Sequence, residues 1–181
     1  MVAEYVIDQL YADHKSVLDF LESRGEVSLR TIADNSFKKL LVLAAASYFE
    51  QVIQELIIQF VSDQSDANEI VVSILKAKAV DRQYHTYFEW DSKNANRFFS
   101  LFGSDFSDAA KEAITGSEEL DEAVRAFLEL GKTRNALMHS NVANYFLEKT
   151  AEEIYQLYKK AGQFMGFLPP QFARFSRRSG L

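Results

Sequence analysis

The stretch LLVLAAASYF, residues 40–49, presents apolar side chains on nearly every side of a helix. The residues around it, from about 28 to 61, continue the apolar spacing of three and four that is typical of helices. A helix that is apolar all round is usually enclosed by other helices. The sequence therefore predicts a long central helix. Its inward positions are predicted to be Ile32, Leu40, Leu43, Ala44, Phe49, Val52, Ile53, Leu56, Ile57 and Phe60.

The rest of the chain also favours helices. Glycine occurs only 7 times in 181 residues, and the 2 prolines are Pro169 and Pro170, which are expected to end the last helix. The predicted class is all-α: a bundle of about four to five main helices plus short ones. We expect one domain at 1–168 and a basic tail at 169–181. The remaining helices are predicted over about 4–23, 69–80, 107–114, 117–141 and 151–167.

Local signals predict several helix ends. Gly25 is expected to end the first helix because glycine is common just past a helix C-terminus. Side chains that accept hydrogen bonds from the first turn mark helix starts. Such starts are predicted at Asp66 with Glu69, at Ser117, and at Thr150 with Glu153.

Composition excludes several kinds of chemistry. The chain has no cysteine, which excludes disulfides, thiolate catalysis and cysteine-ligated metals. It also lacks an H-E-x-x-H motif and a glycine-rich phosphate loop, so no metal site and no cofactor are expected. The formal charge is -6, from 20 Lys+Arg against 26 Asp+Glu, which argues against coating nucleic acid through an overall positive field.

Apolar patterning predicts a cytoplasmic protein without a membrane partner. The N-terminal segment contains acidic residues early and has no long apolar run, unlike a signal peptide. The longest nearly uncharged stretch, residues 40–49, is too short to span a bilayer.

Aromatic residues are concentrated between residues 84 and 106. They are Tyr84, Tyr87, Phe88, Trp90, Phe98, Phe99, Phe102 and Phe106. Because Arg82, His85, Lys93 and Arg97 are interleaved with them, these rings could stack on nucleic-acid bases. Such clusters more often form core packing between short elements. The sequence favours core packing and leaves base stacking open.

The helix over residues 117–141 carries the candidate chemistry. Arg134 lies about 40° to one side of its apolar face, and Asn135 lies about 60° to the other side. Burial of a guanidinium without a partner costs several kcal/mol, so Arg134 needs a carboxylate, a second subunit or an open cleft. The buried face is predicted to comprise Leu120, Val124, Phe127, Gly131 and Met138.

His139 shares one edge of this helix with Asn135, which is four residues earlier. Arg134 is five residues before His139, so the two side chains diverge by about 140° on an ideal helix. Three arrangements could bring them together: a helix that loosens near Ser140, an arginine that curls across, or two copies of the helix packed about a twofold axis.

A purely structural interpretation is also open. Arg134 would then bridge two helices through Glu50 or Glu129. His139 would be a surface residue at a helix C-terminus, where a positive imidazole is favourable.

The segment RNALMH, from Arg134 to His139, resembles the R-x4-6-H signature of the HEPN superfamily, the all-helical "higher eukaryotes and prokaryotes nucleotide-binding" domains. The segment SYFEQVIQELI, which begins at Ser47 and contains Glu50, resembles the long earlier helix of that family. The chain looks like stand-alone members of the RiboL-PSP-HEPN group. As architecture, the resemblance spans residues 29–167.

The resemblance implies metal-independent RNA cleavage by a homodimer, with the two motifs meeting at the subunit interface. RNA supplies its own nucleophile, the 2'-hydroxyl, so the implied products are a 2',3'-cyclic phosphate and a 5'-hydroxyl. His139 would move protons and Arg134 would stabilise charge at phosphorus. Asn135 would orient the imidazole or the phosphate, and Glu50 would fix Arg134 or carry a second proton.

Further partners follow from basic residues and from the family. RNA contacts are expected from Lys132, Arg174, Arg177 and Arg178. A solvated terminus is the alternative for the last three. Family habit suggests a role in phage defence or as a toxin, with an antitoxin or regulatory protein as partner. The alternative function is a catalytically inactive HEPN-like module that binds protein or nucleotide.

Overall fold

A computed structural model describes residues 2–81 and 83–176, the first four of them by backbone alone. All regular structure in these ranges is helical, which confirms the predicted all-α class. A single π-helical turn, Lys76–Val80, follows the third helix. The α-helices are α1 (Val2–Ser23), α2 (Val27–Gln64), α3 (Glu69–Leu75), α4 (Tyr84–Tyr87), α5 (Asn96–Ser100), α6 (Ser104–Thr115), α7 (Glu118–His139) and α8 (Ala151–Ser176).

The chain falls into two compact units. The first comprises the residues up to Tyr48 together with Glu129–Lys159. It therefore contains α1, the first part of α2, the end of α7, the loop over residues 140–150 and the start of α8. The second comprises Phe49–Leu128 and the residues from Lys160 onward.

In the first unit, α1 packs on α8 through two tyrosines. The rings of Tyr11 and Tyr155 stack with centroids 4.1 Å apart. The hydroxyl of Tyr155 donates to Asp8 at 2.9 Å, and the hydroxyl of Tyr11 donates to Glu152. Burial, reinforced by these carboxylates, raises the pKa of each tyrosine to about 12. The two phenols therefore stay neutral donors that hold α1 against α8.

In the second unit, the aromatic residues of the region 84–106 form a core. Phe98 and Phe99 are completely buried, and Phe88 stacks on Phe98 with centroids 4.8 Å apart. The ring centroid of Phe127 in α7 lies 4.8 Å from that of Phe88 and 5.3 Å from that of Phe164 in α8. Six of the eight rings are buried, and Trp90 and Phe102 are half-buried against other rings of the cluster. Core packing is therefore the correct interpretation of the cluster.

Most of the predicted helix starts are confirmed. Ser117 accepts from the backbone N–H of Leu120 at 3.3 Å, and the pair Thr150 and Glu153 forms a reciprocal capping box with bonds of 2.8–3.1 Å. The start predicted at Asp66 is wrong. Asp66 has a φ of 51°, in the left-handed region, whereas a capping residue needs an extended backbone. Asn68 caps α3 instead, because its side-chain oxygen accepts from the backbone N–H groups of Ile70 and Val71.

The predicted end of the last helix is also wrong, because α8 continues through Pro169 and Pro170 to Ser176. Each proline in a helix interior costs about 3 kcal/mol. The turn that contains them is flanked by Leu168 and Phe172, which are both buried. The Phe172 ring contacts those of Phe60, Phe102 and Phe106 at 4.8–5.1 Å. This packing favours the continued helix over a break at the prolines.

Some predicted core positions are exposed. On α2, Ile32 is 63% exposed and Leu40 is 51% exposed, and on α7 Met138 is 56% exposed. Helical spacing identifies residues that share a face, but it does not show which faces neighbouring helices cover. At the end of α7 the buried residue is Leu137 rather than Met138.

By length and composition, α2 is the one helix in the described ranges that could cross a membrane. An 18-residue apolar stretch of α2 with no more than two charged residues has this length and composition, and it is longer than the nearly uncharged stretch at 40–49. Core helices of globular proteins pass the same criteria, and Leu41, Val42, Ala45 and Ile53 of α2 are completely buried by protein. Length and apolar composition are therefore weak evidence that α2 crosses a membrane.

His14 is expected to make the fold sensitive to mild acid. Its buried ring stacks on Phe37 with centroids 3.5 Å apart, and its Nε2 lies 3.3 Å from Asp34. Burial lowers the pKa of His14. The hydrogen bond and the negative charge of Asp34 act to raise this pKa, and the positive charge of Arg30 acts to lower it. The unfolded chain therefore binds this proton more readily, and the free energy of unfolding should decrease as pH falls below about 6.5.

The measurement is urea unfolding between pH 5 and 8 for the wild type and for His14→Gln. One proton contributes a slope of at most about 1.4 kcal/mol per pH unit. We expect the wild type to show the additional slope below about pH 6.5. Parallel curves for the two proteins would contradict this role of His14.

Candidate functional site

Arg134 and Asn135 lie in the last two turns of α7 and form a pair. The Nη1 atom of Arg134 donates to Oδ1 of Asn135 at 3.1 Å, and both side chains are half-buried. A guanidinium has several donors in one plane, so Arg134 can bind Asn135 and form further hydrogen bonds at the same time. Asn135 thus helps to orient the arginine, a contact not foreseen in the sequence analysis.

His139 is the last residue of α7, and its side chain is exposed. The helix was predicted to extend to residue 141, but the N–H of Ser140 instead donates to the carbonyl of Leu137 at 3.4 Å. This tighter spacing is typical of the final turn of a helix. The imidazole is therefore presented to solvent at a helix C-terminus, where positive charge is favoured.

Glu50 belongs to the second unit, whereas Arg134, Asn135 and His139 belong to the first. The Glu50 side chain is half-buried on α2 and accepts a long hydrogen bond from Gln54 Nε2 at 3.4 Å. Its role toward Arg134 stays a prediction.

Glu129, the other acid considered as a partner for Arg134, forms an ion pair with Lys149. The Lys149 ammonium lies 2.7 Å from Glu129 Oε1, and this hydrogen bond raises the pKa of Lys149. Lys149 lies in the loop after His139, so the pair ties that loop to α7.

The loop over residues 140–150 is also held by α2. The ammonium of Lys39 donates to the carbonyls of Val142 at 2.6 Å and Ala143 at 3.3 Å. The neighbouring Lys38 is buried, and it donates to the carbonyl of Leu147 at 3.2 Å. Sequence analysis missed both lysines. Their signal was two adjacent cations at the start of an otherwise apolar stretch of helix.

These elements place a guanidinium, a carboxamide and an imidazole in the last two turns of one helix, followed by a fixed loop. A comparison with protein-family models matches residues 8–169 to RiboL-PSP-HEPN. The chain belongs to this family. Searches of curated proteins and of solved structures gave no match. The family assignment confirms the resemblance drawn from the segments around Glu50 and from Arg134 to His139.

In this RiboL-PSP-HEPN chain, the predicted RNA-binding cations are distributed over both units. Lys132 is exposed on α7 in the first unit, and Arg174 is exposed near the end of α8 in the second. The guanidinium of Arg174 lies over the ring of Phe175, 5.9 Å from its centroid. Arg177 and Arg178 lie outside the described residues. Their contribution to RNA binding stays a prediction.

Among the described side chains, no group of three or more His, Asp or Glu residues could hold a metal ion. The groups gathered near the end of α7 can donate hydrogen bonds, carry positive charge and transfer protons. These capacities match a reaction in which a negatively charged oxygen must be stabilised while a proton moves.

Replacing Lys39 with methionine is expected to loosen the loop without unfolding the RiboL-PSP-HEPN chain. The carbonyls of Val142 and Ala143 would lose their ammonium donor but remain exposed to water, so the cost should be about 1 kcal/mol or less. Hydrogen exchange should become faster at the amides of Asn144 and Tyr145, which close the turn on Asn141. Lys15→Met, at an exposed position of α1, is the control. Equal exchange in both variants would contradict the role of Lys39.

Proposed function

We propose that this chain is a metal-independent RNA endonuclease of HEPN type that acts as a homodimer. The observation that carries the proposal is the family match over residues 8–169 combined with an exposed histidine that ends the helix bearing the Arg134–Asn135 pair. A catalytically inactive module that binds protein or nucleotide is the alternative, and the experiment below decides between them.

The chemistry requires two kinds of side chain. In RNA cleavage the 2'-hydroxyl attacks the adjacent phosphorus and the 5'-oxygen of the next nucleotide leaves. His139 would accept the proton from the 2'-hydroxyl or supply one to the leaving oxygen, since an imidazole can act as either a general base or a general acid. Arg134 would bind the non-bridging oxygens as negative charge increases at phosphorus. Asn135 supports this role because it already holds the guanidinium.

A homodimer is part of the proposal because regular helix geometry alone does not bring the two groups together. Side chains five residues apart on a regular helix point about 140° away from each other. If two copies of α7 packed about a twofold axis, Arg134 of one copy would face a cleft that His139 of the second copy could share. Glu50 would then fix Arg134 or carry a second proton, as the family resemblance implies.

The cellular setting belongs to the same proposal. We place the nuclease in the cytoplasm, with no membrane partner, as a toxin or a phage-defence enzyme. An RNase of this kind must be restrained in the resting cell, so an antitoxin or regulatory protein is the expected partner. Lys132, Arg174, Arg177 and Arg178 would bind phosphates of the RNA.

The test is incubation of the purified protein with end-labelled RNA in excess EDTA. Cleavage should persist and should leave 2',3'-cyclic phosphate and 5'-hydroxyl ends. The same oligonucleotide with one 2'-deoxy substitution at the cleaved position should stay intact there, because it lacks the nucleophile. Cleavage of the deoxy-substituted bond would contradict the mechanism. RNA that stays intact across several substrates, while the protein binds it, would support the inactive module.

A further inference from the structure

Phe146 displays an aromatic ring in the loop that follows His139. It is 78% exposed, more than the other large apolar side chains described in the first unit. The residues beside it are held: Leu147 is buried and Tyr145 is half-buried. The ring is therefore presented to solvent by a backbone that is anchored on both sides.

The loop that carries Phe146 is fixed before any ligand binds. The carbonyl of Asn141 accepts from the N–H groups of Asn144 and Tyr145, both at 3.0 Å. Lys39 holds the carbonyl of Val142, and Lys38 holds that of Leu147. A loop that is already ordered loses little conformational entropy when a ligand binds, so a single contact can contribute most of its energy to affinity.

The chain length between Phe146 and the candidate catalytic histidine limits how far apart they can lie. It is seven residues after His139, and the turn at Asn141 shortens the path between them. From the length of extended chain and of one helical turn, their Cα atoms are at most about 17 Å apart. A nucleotide adjacent to the bond that His139 acts on is within this range.

We infer that Phe146 is a base-stacking platform that binds an unpaired base of RNA next to the scissile phosphodiester. This inference rests on the proposed function. Single-stranded RNA is commonly bound by stacking its bases on exposed aromatic rings. In the aromatic cluster of the second unit most rings are buried, and Trp90 and Phe102 are half-buried against neighbouring rings, so none is as exposed as Phe146. Phe146 supplies such a surface in the loop that directly follows the proposed catalytic group.

The surroundings of Phe146 fit a base better than they fit another protein surface. Its exposed neighbours in the loop include the amide side chains of Asn141 and Asn144 and the carboxylate of Glu148, together with the small apolar side chains of Val142 and Ala143. A stable protein interface buries about 800 Å² per partner around an apolar centre. One large exposed ring with amide side chains in the same loop matches the size of a single base and its hydrogen-bonding edge.

The experiment measures binding of fluorescein-labelled single-stranded oligoribonucleotides of mixed sequence by fluorescence anisotropy. It is done in a His139→Ala background, in which the RNA is not consumed. Phe146→Ala should weaken the affinity by about tenfold or more. Phe146→Trp should retain the affinity. Phe146→Leu keeps an apolar side chain but has no ring on which a base can stack, so its affinity should be as low as that of Phe146→Ala. Phe20→Ala removes a comparably exposed aromatic ring from α1 and should have no effect.

Two results would overturn the inference: an unchanged affinity in Phe146→Ala, or leucine that binds as tightly as phenylalanine. Light scattering tests the other occupant. A change of oligomeric state in Phe146→Ala with unaltered RNA affinity would assign the ring to a contact between copies. The proposed nuclease is tested separately, by cleavage in EDTA with His139 intact. RNA cleavage combined with an affinity independent of Phe146 would therefore refute only the stacking platform.

Discussion

Replacing His139 with alanine is expected to slow RNA cleavage by about 100- to 10,000-fold, the usual contribution of a positioned acid–base group. The side chain is exposed at the end of α7, so its removal should leave the fold intact. The measurement is single-turnover cleavage of labelled RNA in EDTA. Adding imidazole to the His139→Ala reaction should restore part of the rate, because the free base can occupy the space that the side chain vacates.

His85→Ala provides the matched control. His85, like His139, is exposed. It lies on the short helix α4 in the second unit and has no assigned role in the chemistry. Its replacement should leave the cleavage rate unchanged. Equal rates for wild type and His139→Ala would remove the histidine from the mechanism.

Replacing Arg134 with alanine is expected to lower the cleavage rate by about 100- to 1,000-fold, as found when a donor to a developing oxyanion is removed. Arg134→Lys should cleave less than about tenfold faster than Arg134→Ala, because an ammonium keeps the charge but lacks the planar guanidinium that binds two oxygens. The bond to Asn135 Oδ1 would also change, since it is made by Nη1 of the guanidinium.

The control for the arginine is Arg125, which is exposed on the same helix and pairs with Asp121 at 2.6 Å. Arg125→Lys and Arg125→Ala should cleave at the wild-type rate. If Arg134→Lys were fully active, a simple positive charge would suffice and the proposed two-oxygen contact would be wrong.

Local sequence signals predicted the helices and several of their ends correctly. The apolar stretch at residues 40–49 identified α2, and the Thr150–Glu153 pair identified the start of α8. These features depend on residues a few positions apart, so one sequence contains them in full. The same was true of the segment from Arg134 to His139, which led to the family that the comparison confirmed.

Features that depend on distant residues could not be predicted. The continuation of α8 through Pro169 depends on Phe172 packing against aromatic residues far away in the chain. The exposure of Leu40 depends on which helices cover α2. The lysines that hold the loop after His139 lie about a hundred residues before it, and no local pattern connects Lys39 to Val142.

Co-purified mixed dimers test most directly whether Arg134 and His139 act on one phosphodiester from two copies of the chain. Arg134→Ala and His139→Ala chains, each with its own affinity tag, would be co-expressed and purified through both tags. Each variant alone should be inactive. The mixed dimer retains one intact pair across the twofold axis and should cleave RNA at about half the wild-type rate. The control is a dimer of one wild-type and one His139→Ala chain, which should be active. If this control is active and the mixed dimer is as inactive as its parents, the shared site is contradicted.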